Sequence, residues 1–238
     1  MRRTGPENYA DLRRTVERVF QAVVSAPKPL PRSSVKVGPL SFPPDPAALR
    51  QFLIDGGNGA RPSSPLEFIR IMLGDAPAVC FGDKPNRTST AWMASLHDGL
   101  LRGATILVPN PMAGIMGLNK EGAPSSRCES LITERRYQII EYDNLDRSSQ
   151  IIRLQHLRSF GIPLVAAVFS GVESLHAWFS IRGLSPENQA AFFDYAVQAT
   201  GADPAHRSPV QMTRLPFAIR PENGALQNLL FFKTPPVP

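Results

Sequence analysis

The sequence predicts an α+β fold, an antiparallel or mixed sheet packed with helices. Three observations carry that prediction. Of 238 residues, 42% are hydrophobic and 19% charged, enough to bury one core with an elaborate flank. From Glu134 onward the pattern switches between strand and helix periods in the order strand, helix, strand, strand, helix, strand, strand. Helix-start and turn residues punctuate the switches, among them Asn144 or Asp146, Gly161-Ile162-Pro163 and Ser185-Pro186. This is the kind of sheet that RNA-recognition-like domains use.

Within residues 1–25, Tyr9, Leu12, Val16, Val19, Phe20 and Val23 recur at helical spacing between arginines, which predicts an amphipathic helix. Residues 26–46 hold seven prolines and read as an extended linker. Residues 47–133 form a flank, with short helices near Asp45–Leu53 and Ser64–Leu73 separated by the breaker "DGGNGARP". The strands "APAVCFG" and "ATILVPN" follow, and then the Gly-rich loop "NPMAGIMGLNKEGAPSSR". Residues 134–233 form the core. Its strand "RYQIIEYD" leads into a helix bearing Ile151, Ile152, Leu154 and Leu157. The strands "PLVAAVFSG" and "SLHAWFSIRG" come next, followed by a helix bearing Ala190, Phe193, Tyr195 and Val197. "VQMTRLPF" and "LQNLLFF" close the core as two strands of a hairpin through "RPENGAL". Residues 234–238 are a tail without core potential, expected to lead into a linker.

The formal charge of +6 and pI of about 9.7 favour anionic partners. Cys80 and Cys128 cannot supply a structural zinc site alone, and only His97, His156, His176 and His206 could join them, so no zinc is predicted. Two cysteines give no disulfide framework, which suits a reducing compartment. The N-terminus lacks the apolar h-region of a secretory signal, and no run approaches the ~20 apolar residues of a membrane span. The expectation is a cytoplasmic protein with no membrane partner.

The chemistry concentrates in two short patterns. Residues two apart on a strand share a face, so Glu141 and Asp143 in "IIEYD" project together, as do Ser174 and His176 in "SLHAW". Leu175, Ala177 and Phe179 then pack on the opposite side. Adjacent carboxylates repel unless a cation lies between them, and oxygen pairs suit Mg2+ or Mn2+. Taken alone, the acids also fit a solvated strand end with Asp143 capping the next helix. His176 alone also fits a core histidine bonded to backbone.

"IIEYDNL", "VFSGVESLHAWF" and "TRLPFAIRPENGALQNLLFF" together resemble the archaeo-eukaryotic primase (AEP) superfamily, in particular the small primase and primase-polymerase modules of plasmids, phages and mobile elements. The resemblance covers roughly residues 130–233. It implies the RRM-like sheet of the AEP core beside an N-terminal α/β flank. It also implies template-directed nucleotidyl transfer from NTPs or dNTPs on single-stranded DNA, with a replicative helicase as a possible partner. Glu141 and Asp143 would bind two catalytic Mg2+ or Mn2+ ions. Ser174 and His176 would contact phosphates of the incoming nucleotide. Asp203 in "GADPAH" is the favoured third acid, with Asp194 the weaker candidate. Arg214 and Arg220 would reach nucleotide phosphate or template, although both also fit a solvated strand edge.

Relatives read Ser-Gly-Gly-Lys-Ser-x-His in the second motif. Here Ser170-Gly171-Val172-Glu173-Ser174-Leu175-His176 puts an acid where a lysine would lie near the triphosphate. The alternative is therefore a catalytically weak or inactive single-stranded nucleic-acid-binding module on the same fold. A base-stacking module would want exposed aromatics on its strands, and Trp178 and Tyr142 are the obvious candidates. Arg61, Arg70, Lys84, Arg87 and the N-terminal arginines could track a template backbone.

Overall fold

The computed structural model describes residues 51–52, 54–56, 61–143 and 145–235. The helix expected within 1–25 and the proline-rich stretch 26–46 lie outside the described residues, as does Asn144. In chain order the elements are α1 (Pro65–Leu73), β1 (Ala78–Lys84), β2 (Arg87–Trp92), β3 (Ile106–Leu107), β4 (Gly117–Leu118) and β5 (Pro124–Ser125). They continue with β6 (Tyr137–Glu141), α2 (Arg147–Arg158), β7 (Leu164–Phe169), β8 (Leu175–Ser180), α3 (Pro186–Thr200), β9 (Thr213–Arg214) and β10 (Asn228–Phe232). The result is an α+β fold whose paired strands are all antiparallel.

Local chemistry sets the helix starts. Ser64, Asp146 and Ser185 each accept a hydrogen bond from a first-turn amide, and Pro65 and Pro186 occupy positions whose N–H would have no helical partner. α3 ends where Gly201 takes φ 75°, a left-handed conformation that costs glycine little.

Two sheets organise the molecule. One runs β2-β1-β3-β9 and the other β10-β7-β8-β6, while β4 and β5 form a small ladder within the Gly-rich segment. β6 and β7 each run antiparallel to β8, hence parallel to each other, with α2 as the crossover. Alternation along these strands gives each face its own core. Ile140, Ala167, Leu175, Ala177 and Phe179 pack with Ile151, Leu154 and Leu157 of α2 and Phe192, Phe193 and Ala196 of α3. Tyr137, Ile139 and Trp178 look the other way, joining Phe68, Ile69 and Met72 of α1 and Val79, Phe81 and Leu107 of the first sheet. Trp178 sits edge-on to both Phe68 and Tyr137, with ring centroids 5.3 and 5.4 Å apart.

Two expectations are corrected, and one strand was unexpected. The last two segments turn back on each other through the expected loop, with an Ile219–Leu226 bridge and backbone bonds from Phe217 to Gln227 and Gln227 to Ala218, but the strands proper pair elsewhere, β9 with β3 in the first sheet and β10 with β7 in the second. Pro216 lacks the N–H needed to extend β9, and strand partners are chosen by distant sequence. β6 stops at Glu141, two residues early, because the β8 ladder begins at Leu175 and its pairing with β6 ends at Glu141↔His176. β2 was not anticipated, since "RTSTAW" is half exposed and shows little apolar alternation.

Candidate active site

The site lies at the polar end of the face shared by the two sheets. Glu141 closes β6 and is directly opposite His176 on β8. His176 Nε2 lies 3.1 Å from Glu141 Oε1 and 3.3 Å from Ser174 Oγ. From the first sheet, Thr213 Oγ1 of β9 comes within 3.3 Å of His176 Nδ1. A third element arrives over the edge of β6. His206, in the 3-10 turn Pro204–Arg207, places Nε2 2.7 Å from Glu141 Oε2. Both imidazoles thus present Nε2 to one carboxylate, one to each oxygen. Among the described residues, Glu141, His176 and His206 form the group of potential metal donors whose ligand atoms all lie within 4.8 Å of one another.

The surroundings hold these groups in place. The turn before β8 wraps Ser170 Oγ, which accepts from the amides of Val172, Glu173 and Ser174 at 3.5, 3.3 and 3.1 Å. Gly171 supplies the left-handed φ of 87°, and a Cβ there would meet Ala225 Cβ at 2.9 Å. Val172 therefore replaces no glycine that the turn needs for positive φ. Gln150 of α2, fully buried, donates to the Glu173 and Leu145 carbonyls and accepts from the Leu175 amide at 2.8 Å. On the other flank, Gln138 Nε2 donates to the His206 carbonyl at 3.0 Å, and Arg135 reaches the carbonyls of His206 and Arg207.

The remaining sequence candidates fall around this centre. Asp203 joins through its backbone: its N–H donates to the Glu141 carbonyl at 2.8 Å, while its Oδ1 accepts from the Ala205 amide at 2.9 Å and caps the turn. Asp143 is exposed just beyond the strand, and Glu141, Asp203 and Glu173 all act on it electrostatically. Neither aspartate belongs to the group that meets at Glu141. Asp194 pairs with Arg207 on the surface. Arg214 and Arg220 both act on His176, and Arg220 also pairs with Glu222 at 2.5 Å. Tyr142 and Trp178 are fully buried, so neither offers a stacking face. Of the residues considered for template contact, Arg61 donates to the Leu229 carbonyl, Arg70 to the Leu96 carbonyl, and Arg87 pairs with Asp83 on its own hairpin.

Burial disfavours charge on His176 and, against the pull of Glu141, brings its pKa down to about 3, so the imidazole is neutral at pH 7. Burial pushes Glu141 up, but the field of His176 and the hydrogen bonds from His206 and Ser174 outweigh it and bring the carboxyl down to about 2. Asp143 moves the opposite way, raised by desolvation and by the neighbouring acids, Glu141 first. Desolvation, with Arg220 nearby, lowers Arg214.

His206, Thr213, Gln150 and Gln138 are the residues sequence reasoning missed. The signal for His206 was its place three residues after the favoured acid in "GADPAH", within a polar turn too short to have a period.

The fold and site define an α+β, two-sheet protein with an acid–histidine centre at the seam between its sheets. No family model matches the sequence, and no curated protein does. Among solved structures, the chain is similar to the AEP domain of the primase-polymerase (PrimPol) of cyanophage S-2L. Identity is 16%, the overlap covers 66% of this chain and 80% of that one, and the TM-score is 0.41.

Proposed function

We propose that the chain is a primase or primase-polymerase catalytic domain, extending nucleic acid from NTPs or dNTPs on a single-stranded DNA template in replication of a plasmid, phage or mobile element. The observation that carries this reading is the Glu141↔His176 register, which sets the first acid of the acid-x-acid pattern opposite the histidine of the Ser-x-His pattern. Arginines complete it, since Arg214 and Arg220 lie within electrostatic reach of His176 and Arg214 within reach of Glu141. An acidic pole beside a cationic one suits a metal-bound triphosphate.

The donor chemistry fits a divalent ion. Glu141 is ionised at neutral pH and retains 14% side-chain exposure, and both it and Asp203 act electrostatically on Asp143. Glu141, Asp143 and Asp203 would hold Mg2+ or Mn2+. When bound, such ions activate the attacking 3′-hydroxyl and neutralise the leaving pyrophosphate. Arg214 and Arg220 bind and orient the phosphates, the Ser174 hydroxyl donates to a phosphate oxygen, and neutral His176 contributes a polar contact rather than a charge. A helicase would present the template.

The test is incorporation of labelled nucleotides on single-stranded DNA with Mg2+ or Mn2+. Wild type is expected to make product, and Glu141→Gln to lose it by ~100-fold or more while still binding DNA. Full activity in Glu141→Gln would show the site to be misassigned. DNA binding without product in wild type would favour the second reading, a binding module on the same fold. Glu173, which adds to the repulsion on Asp143, is the observation that favours this alternative.

A further inference from the structure

We propose that Glu141, His176 and His206 form a nitrogen-rich metal site that takes a transition-series divalent cation such as Mn2+, Co2+ or Zn2+ in preference to Mg2+. Its catalytic meaning rests on the nucleotidyl-transfer reading, which it deepens by giving His176 to the ion rather than to a phosphate.

Three features of the geometry support the site. First, the donors are of the right kind and already gathered. Two imidazole Nε2 atoms flank one carboxylate at 3.1 and 2.7 Å, and all three ligand atoms lie within 4.8 Å. Donor atoms around a tetrahedral or octahedral ion with ~2.1 Å bonds stand about 3.0–3.4 Å from one another, so the two imidazole–carboxylate separations are already near that range and the ion would draw the three donors together. Second, the His176 ring is held from behind and His206 is held through its backbone. His176 Nδ1 faces Thr213 Oγ1 at 3.3 Å, leaving Nε2 free to carry the lone pair when Nδ1–H donates to the hydroxyl. The backbone of His206 is fixed by Gln138 and Arg135 on one side and by the Asp203 cap on the other. Third, the site is enclosed but keeps some solvent access at Glu141. The histidine side chains are 5% and 3% exposed, while that of Glu141 is 14% exposed.

Three protein ligands and one approachable face are the arrangement of a catalytic ion, not of a closed structural site. That is why the count of cysteines and histidines, which set aside structural zinc, does not bear on it. Cys80 and Cys128 are buried and belong to no such group among the described residues. Selectivity follows from the donors. Mg2+ demands oxygen in near-octahedral array and keeps its waters, whereas imidazole raises affinity along the order Mn2+, Co2+, with Zn2+ also favoured. The turn that carries Asp203 also delivers His206 to the centre.

The test uses the full chain, stripped with a chelator and free of nucleotide and DNA. Titration with Co2+, followed by calorimetry and by visible absorption, is expected to show one site that survives a ~100-fold excess of Mg2+. His206→Gln is expected to weaken Co2+ by at least ~100-fold, and Asp143→Asn by less than ~10-fold. Equal Co2+ affinity in wild type and in a His206→Gln chain that circular dichroism shows to be folded would overturn the site, as would displacement by equimolar Mg2+. If His206→Gln does not fold, pulsed electron paramagnetic resonance on the Mn2+-loaded wild type decides. Coupling to two directly bonded imidazole nitrogens is expected, and coupling to none refutes the proposal. Co2+ binding that persists in a chain unable to incorporate nucleotides supports the metal site and sinks the polymerase reading. Incorporation by a chain whose Co2+ affinity ignores His206→Gln does the reverse.

Discussion

The two faces of β8 were built under different demands. Toward α2 and α3 it presents Leu175, Ala177 and Phe179, apolar from end to end and fully buried. Toward the first sheet it presents His176, Trp178 and Ser180, with Ser174 just before it, where Trp178 packs on Phe68 and Tyr137 and His176 meets Glu141. One face is a core. The other changes over two residues, a single step of the pleat, from core to chemical site. The site's polar groups can be buried because Trp178 and its neighbours hold the two sheets together next to them. Glu141 and His176, in turn, satisfy each other at the end of the ladder.

Truncating the anchor should have the largest effect. Trp178→Ala empties the contact with Phe68 and Tyr137 and is expected to cost ~3–5 kcal/mol, measured as a lower urea midpoint at unchanged slope. It should loosen the site as well, because β9 carries Thr213 and Arg214 from the first sheet to His176. A loss under ~1 kcal/mol would mean that the sheets are held elsewhere.

The same contrast explains what the sequence disclosed. The helix start at Ser185 and the two-faced pattern of β8 were readable because they depend on neighbours one to four residues away. So was the sharing of a face by Ser174 and His176. Asp146 was one of two caps considered, and the structure uses it. The pairing of β9 with β3 was not readable, since Thr213 and Leu107 are joined only through the finished sheet. His206 was visible as a histidine but not as a neighbour of Glu141. Its position depends on the chain leaving α3 through Gly201 and on Gln138 and Arg135 catching the turn. The seam between the sheets is a non-local product, and part of the site with it.

Acid should separate the faces next. The native pKa of His176, about 3, lies below its ordinary 6.5, so between those values the unfolded chain binds a proton that the folded chain refuses. Stability should therefore be full above pH 6.5 and fall as pH drops. Glu141, lowered from 4.5 to about 2, adds its share below 4.5 in the same direction. In chelator, the thermal midpoint is expected to drop by more than ~5 °C between pH 7 and 4.5. His176→Asn should flatten that slope, whereas Leu175→Val on the helix face should lower stability evenly across it. An equally steep slope in His176→Asn would move the acid sensitivity to other groups.

The smallest effect lies at the solvent edge of the site, and its sign differs. Asp143 is raised, by desolvation first and then by Glu141, Asp203 and Glu173, so its ionised form is slightly unfavourable in the fold at neutral pH. Asp143→Asn removes that repulsion and should raise the thermal midpoint of the metal-free chain by ~1–2 °C, an amount kept small by its exposure to solvent. Two conditions should erase the gain. Salt at about 1 M screens charges beyond a few ångströms, and a divalent cation turns the same carboxylate from a burden into a favourable neighbour. If the gain persists in both, the advantage of asparagine is local to the bend after β6. If it vanishes in salt but not with Mn2+ or Co2+, the cation does not bind where these acids converge. Loss under both conditions places the repulsion and the ion at one point, beside Glu141.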